Sequence, residues 1–297
     1  MRPALDQGDR GVATSLAVPI ERRARCLAAL LIAIAAVLGL APTAAQAQTH
    51  TPKVLLYTGT MGFRHAEAID AGAPVLKAAL EGIGYQVDWK DCNGNVCRGA
   101  EINPAIFTAA NRAQYDVFFF SNATGSTLFE PAERAAIIDF VQKGGGIGAN
   151  HGAVDMGAAS VTWDWWDGAE NSVVGTTMNA HAATDITNVA TVQVADHTHL
   201  ATKDLPDTYG FGDEQYNPKR NVRGTHHVLA TLDETTYTPG PNGLGQDHPT
   251  TWCKLYDGAN VQDGTATPKR YTDGRAWTTT MGHFGANYTE NLSLIHI

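Results

Sequence analysis

The sequence predicts an α/β fold, in which a doubly wound, mostly parallel β-sheet passes into a β-rich C-terminal half. Three observations predict it. Short apolar runs alternate with segments of helical periodicity over residues 53 to 150, which is the spacing of βαβ units. One of those runs, residues 115 to 120, is apolar at nearly every position, as strands buried on both faces are. The 297 residues are 43% hydrophobic and 17% charged with 30 glycines, a globular composition that argues against disorder, collagen or a pure coiled coil.

Residues 53 to 58 read as a first buried strand ending at Gly59. A helical pattern follows, with Ala68, Val75, Leu76, Ala79, Leu80 and Ile83 on one face and Gly82 and Gly84 closing it. Residues 85 to 89 and 115 to 120 are the second and third strands. Pro131 stands where a first helical turn tolerates a missing N–H, and Ala135, Ile138, Phe140 and Val141 continue a helix that stops at Gly144-Gly145-Gly146. Residues 147 to 150 are the fourth strand. Beyond Asp155, β-rich segments at 189 to 194, 226 to 232, 251 to 256 and 276 to 281 are joined by polar loops and read as an extension of the same domain. The final helix that would close such a sheet is missing before Asn291.

The two ends read differently from the body. Arg22, Arg23 and Arg25 precede an uncharged apolar run over residues 26 to 40, and Ala45-Gln46-Ala47 forms a small-residue cleavage site. Residues 1–47 are therefore expected to be a signal peptide of the Sec type, giving a secreted or periplasmic protein with no stable membrane anchor after cleavage. The apolar run is shorter than the roughly 20 residues of a membrane helix. Residues 292–297, Leu-Ser-Leu-Ile-His-Ile, match what the end of a common transposon-based sequencing adapter encodes, so the domain is expected over 48–291 with its own C-terminus truncated.

The formal charge is −9, and the part after residue 47 carries −11. An acidic body argues against nucleic acid, whose phosphates need clustered Lys and Arg, and favours a small neutral partner such as a carbohydrate. Cys92 and Cys97 bracket a short turn, and in an exported chain they are candidates for a local disulfide. A metal half-site is the rival there. Cys253 lies in an apolar strand and reads as a buried small hydrophobe.

Open parallel sheets bind ligands at the carboxyl ends of their strands, so the chemistry is sought in the loops that follow them. After the first strand comes Gly62-Phe63-Arg64-His65, offering a fixed cation and a titratable imidazole. After the fourth comes Asn150-His151-Gly152-Ala153-Val154-Asp155, shaped like a nucleophile elbow with no Ser or Cys at its tip. His151 there is a candidate general base, ligand-binding group or metal ligand, with Asp155 as an orienting partner. Further on stand Asp213-Glu214-Gln215-Tyr216, Asp247-His248 and Gly282-His283, which read as an acid/base set or as a mixed N/O metal site. Neither a dinucleotide fingerprint nor a P-loop is present, so no cofactor is evident beyond a divalent metal ion, for which His65, His151 and His248 are the candidates. Trp163, Trp165 and Trp166 form an aromatic cluster that either stacks on a sugar ring or packs in the protein.

In Gly62-Phe63-Arg64-His65, the triple glycine with His151 and Asp155, Asp213-Glu214-Gln215-Tyr216, residues 228 to 233, Asp247-His248-Pro249 with Trp252-Cys253, and residues 274 to 283, the sequence resembles the trehalose-utilisation, or ThuA-like, family. These pieces keep their order across nearly all of 53 to 290. The resemblance implies a flavodoxin-like fold of the class I glutamine amidotransferase-like superfamily, with His at the elbow where amidotransferases carry Cys. It also implies a link to trehalose and keto-sugar metabolism, with secreted members often carrying appended modules. The expectation is an exported enzyme, a glycoside or keto-sugar hydrolase or lyase, and not a glutamine amidotransferase. His151 and Glu214 are the expected catalytic pair, and Arg64, His65, Asp155, Asp213, Tyr216, His248 and His283 the expected substrate-binding residues. The rival is a sugar-binding or scaffold domain without catalysis.

Overall fold

The computed structural model describes residues 50–92, 106–125, 128–157, 163–168, 172–256 and 274–290. The expected leader, Cys97 and the 292–297 tail lie outside these described residues. The chain divides into two units, Met1–His50 and Thr51–Ile297, and every element below belongs to the second. In chain order these are β1 (Lys53–Tyr57), a π-helical turn (Ala68–Gly72) running into α1 (Ala73–Gly82), β2 (Gln86–Lys90), α2 (Ala109–Arg112), β3 (Val117–Ser121), α3 (Pro131–Gln142), β4 (Gly146–Asn150), a 3-10 turn (His151–Asp155), α4 (Asp164–Asp167), β5 (Met178–His181), β6 (Val189–Val194), β7 (Thr208–Gly212), β8 (Tyr216–Pro218), β9 (His227–Asp233), β10 (His248–Tyr256), β11 (Gly274–Thr279) and α5 (Asn287–Glu290).

Nine strands form one sheet in the order β2-β1-β3-β4-β11-β10-β9-β6-β7, and β5 pairs with β8 in a small second sheet. From β2 to β11 the neighbours run parallel. From β11 to β7 they run antiparallel. The mostly parallel sheet expected from the sequence is thus corrected to one divided evenly. The cause is connectivity: β6 to β7 and β9 to β10 are joined by loops with no crossover helix, and a parallel neighbour needs a crossover.

Alternation along the apolar strands explains why both faces are covered. Leu55, Tyr57, Phe118, Phe120 and Ile147 enter one core, closed by Ile137, Phe140 and Val141 of α3. Val54, Leu56 and Phe119 enter the other, under Leu76 and Leu80 of α1. Successive strand side chains point to opposite faces, so a run without polar positions needs cover on both. Gly148 serves the second face, since a Cβ there would lie 2.2 Å from the Phe119 ring.

One further expectation is corrected. Ile83 is 64% exposed, because α1 ends before it and Ile83 becomes the cap residue. Of the two readings of Trp163, Trp165 and Trp166, packing in the protein is the one observed, for all three are buried in the first core. Trp166 donates to the Ala153 carbonyl at 3.0 Å, so its one polar atom is satisfied in the core. A single helical turn, α5, precedes residue 291, too short to show a period in the sequence. Cys92 is disulfide-bonded. Cys253 is free and half-buried, and burial with the nearby Asp196 charge pushes its thiol up to about 11. No helix among the described residues is long and apolar enough to cross a membrane.

Candidate functional site

The carboxyl ends of β1, β4 and β11 face one rim of the sheet, and the loops that leave them bring imidazoles together. His151 follows β4 directly at φ +45°, a left-handed conformation that costs energy for any residue with a Cβ. Its Nδ1 lies 2.8 Å from the Thr280 carbonyl oxygen, just past β11. A carbonyl only accepts, so Nδ1 carries the hydrogen and Nε2 presents its lone pair. Gly152 makes room for the next imidazole. A Cβ at Gly152 would sit 3.0 Å from the His65 ring, and the His65 and His151 rings are 4.7 Å apart.

Around His151 Nε2 the donors converge. His283 Nδ1 is 3.1 Å away and Glu214 Oε2 is 3.4 Å away. His283 Nδ1 and Glu214 Oε2 are 3.1 Å apart. One ligand atom from each of His65, His151, Glu214 and His283 lies within 4.8 Å of all the others. His65 Nε2 lies 3.3 Å from the Tyr216 hydroxyl, and its Nδ1 is buried with no partner. Tyr216 also lies over His151, with ring centroids 4.1 Å apart.

This donor set fits a transition-metal ion. Two imidazole nitrogens at 3.1 Å cannot both present lone pairs unless a proton or a cation lies between them. A tetrahedral ion with ligands at about 2.1 Å separates them by roughly 3.4 Å, close to the spacings seen. Three nitrogens and one carboxylate suit Zn²⁺ and the neighbouring divalent ions rather than Ca²⁺ or Mg²⁺. His65 adds one ligand atom to this set and also carries a buried Nδ1 without a partner.

The protonation states agree. Burial opposes the charge on Glu214, but the His151, His283 and Thr184 side chains beside it outweigh that and hold the carboxyl well below its usual range. Burial, reinforced by His151 and His283, depresses His65 to about 2, which leaves it neutral. Burial also works against His283⁺, yet the bond and charge of Glu214 prevail and raise it. A bound ion would displace that proton. Burial first, then nearby carboxylates, raises Tyr216 far above its ordinary value, so it stays a neutral phenol.

Other expected site residues support the cluster from outside it. The Asp213 carboxylate, fully buried and raised chiefly by that burial, accepts from the backbone N–H of Gly282 at 2.7 Å and of His283 at 3.0 Å. It fixes the loop that carries His283. His248, expected as a metal or substrate ligand, is instead fully buried behind Tyr216, with Nδ1 2.7 Å from Glu234 Oε1 and Nε2 2.9 Å from the Tyr216 carbonyl. Arg64 donates to Asp91 and Asp70, so its charge is spent on the protein. Asp155 accepts from Thr177 at 3.2 Å, whereas the Nδ1 of His151 is already taken by Thr280.

Sequence reasoning missed His181 of β5, whose Nδ1 lies 3.3 Å from Glu214 Oε1 and whose side chain is 44% exposed. It also missed Thr184, which donates to the same oxygen. Both lie in a Thr- and Asn-rich stretch without strand periodicity, and only the pairing of β5 with β8, which places His181 opposite Tyr216, shows their role. Tyr288 of α5 was likewise unforeseen. Its hydroxyl accepts from Asn122 at 2.8 Å and Asn150 at 2.7 Å, tying the ends of β3 and β4 together. A cavity of about 1340 Å³ opens at the opposite end of the strands, lined by residues such as Tyr115, Gly145 and Arg275. None of the cluster lines it, so donor chemistry rather than size marks the site.

Asp155 supplies a prediction on stability. Burial raises its carboxyl from 3.8 to about 6. Between those values the folded chain holds a proton that the unfolded chain has released, so stability falls as pH rises through the window. Asp155→Asn keeps the acceptor for Thr177 and abolishes the titration. The variant is expected to exceed the parent at pH 8 by on the order of 2 kcal/mol and to match it near pH 3.5, measured by urea unfolding. An equal gap at both pH values would contradict this.

The ThuA family model, described as trehalose utilisation, matches residues 53–297. No curated protein matches. Among solved structures, a protein from Bacteroides uniformis ATCC 8492 described as ThuA-like superposes with a TM-score of 0.60 at 18% identity, over 86% of this chain and 91% of that one. At this identity the likeness shows the fold alone. A cytoplasmic protein from Salmonella typhimurium LT2 has a TM-score of 0.46 at 13% identity, over 82% of this chain and 96% of its own. The match of the family model spans every strand and all four residues of the cluster, and the chain belongs to the ThuA family.

Proposed function

We propose that this protein is an exported enzyme of carbohydrate metabolism that acts on a glycoside or keto-sugar of the trehalose type, using a divalent metal ion held by His65, His151, Glu214 and His283. The observation that carries the reading is the convergence of these four side chains, one ligand atom from each lying within 4.8 Å of all the others. When bound, such an ion supplies Lewis acidity to a sugar oxygen or to water. The chain does the rest. Thr280 fixes the tautomer of His151, Asp213 fixes the His283 backbone, and Tyr216 holds the His65 ring. Glu214, kept ionised, suits a ligand or a base and not a general acid, which narrows the expected His151 and Glu214 pair.

Family membership supports the carbohydrate substrate, and the leader pattern of residues 22 to 47 supports export. Helices on both faces of the parallel half are in keeping with a flavodoxin-like, amidotransferase-related winding. An elbow with His151 in place of Cys argues against amidotransferase chemistry. The test is to incubate the purified protein with trehalose, common glycosides and their keto forms, before and after a chelator. Turnover lost to the chelator and restored by Zn²⁺ or Mn²⁺ is expected. Turnover indifferent to the chelator would remove the metal, and no turnover of any sugar would remove the enzyme reading.

A further inference from the structure

Large apolar side chains exposed among the described residues are Phe63, Ile83, Ile186, Val189, Leu200 and Leu255, and Phe63 is the aromatic one. It is 69% exposed, and its ring centroid lies 4.9 Å from that of His65 in an edge-to-face contact at 82°. The His65 ring in turn meets His283 at 5.0 Å. An isolated exposed hydrophobe is ordinary on a protein surface. This one stands within one ring of the metal-ligating set, on a backbone that is firmly held. The Phe63 carbonyl accepts from Thr124 Oγ1 at 2.7 Å, and the Met61 N–H donates to the Thr124 carbonyl at 2.7 Å. Next in sequence, Arg64 is clamped between Asp70 and Asp91. A Cβ at Gly125 would lie 2.7 Å from the Gly62 nitrogen, so the two loops are in close contact.

A rigid mount that presents a bare aromatic ring beside a polar cluster suits a ligand with one apolar face and oxygens at its edge. A pyranose is such a ligand, because its axial C–H groups form an apolar face and its hydroxyls project from the rim. Aromatic rings supply large contact area at little conformational cost. Trp163, Trp165 and Trp166, the aromatic cluster of the sequence, are buried in the core. On the opposite flank Phe284 packs on His283 at 4.8 Å and is partly buried, which leaves Phe63 as the open surface. We infer that Phe63 is the stacking platform for a hexopyranose ring of the substrate, positioning the sugar's oxygens toward the cluster. This rests on the carbohydrate reading above and assigns Phe63 a part in binding, not in chemistry.

The test is calorimetric titration of the metal-loaded full-length protein with trehalose and methyl α-glucoside, with glycerol as a probe that has oxygens but no ring face. Phe63→Ala and Phe63→Leu are expected to weaken both sugars about tenfold, with glycerol binding and metal content unchanged, while Phe63→Trp binds at least as tightly as the parent. Because the side chain is exposed, all three should fold as the parent does. Equal sugar affinity in parent and Phe63→Ala would overturn the platform while leaving the carbohydrate reading intact. Loss of metal together with sugar would also overturn it, since Phe63 would then serve only to hold His65. A parent that binds neither sugar would overturn the carbohydrate reading and the platform together.

Discussion

His151→Asn should strip the protein of its metal and lower turnover of a ketoglycoside by more than about 100-fold, because losing even an outer-shell partner of a ligand costs 10–100-fold. Asn is the informative replacement. It tolerates left-handed backbone better than other residues, so the φ of +45° at the elbow is kept and only the imidazole is removed. The expected split is loss of metal and activity with a melting temperature close to that of the metal-free parent. Elemental analysis and thermal unfolding on the same preparation read both. A variant that keeps full turnover would show that the elbow imidazole is neither ligand nor base.

The largest effect on stability is expected at His248, which a sequence reading places among the ligands. Both of its nitrogens are engaged in the interior, one with Glu234 and one with the Tyr216 carbonyl. Glu234 also accepts from the Leu244 N–H, so the imidazole joins β10, the 234–247 loop and β8. His248→Ala takes one partner from the partly buried Glu234 carboxylate, removes the imidazole from the Tyr216 carbonyl and opens a cavity at a fully buried position. Breaking such a pair from one side costs about 3–5 kcal/mol, which for a domain of this size lowers the melting temperature by roughly 10 °C. Metal affinity should fall only secondarily, through Tyr216. A destabilisation below about 1 kcal/mol would mean that water or a neighbouring group replaces the imidazole.

How much of this was legible in the sequence depends on where each signal lies. The strands β1 and β3 announce themselves because burial on both faces demands unbroken apolar runs, the triple glycine marks the start of β4, and the loops trailing β1 and β4 then locate His65 and His151. Glu214 and His283 stand next to motif residues and were found. The small sheet was not, because β5 and β8 are short and polar, and with it went His181. His248 and Arg64 were assigned to the pocket because residue type does not encode direction. Arg64 meets Asp91, 27 residues away, and His248 turns inward to Glu234. The three tryptophans illustrate the same point. Spacing of aromatics does not distinguish a sugar platform from a core, and only their burial in the fold assigns these three to the core.

The most direct measurement is the coordination of metal by the intact purified protein, read by elemental analysis together with X-ray absorption at the metal edge. One divalent ion per chain, bound by three imidazoles and a carboxylate and lost on replacing His151 or His283, is the outcome expected from the cluster. A protein that takes up no stoichiometric ion from Zn²⁺, Mn²⁺ or Co²⁺, or that binds one without imidazole ligands, would contradict it.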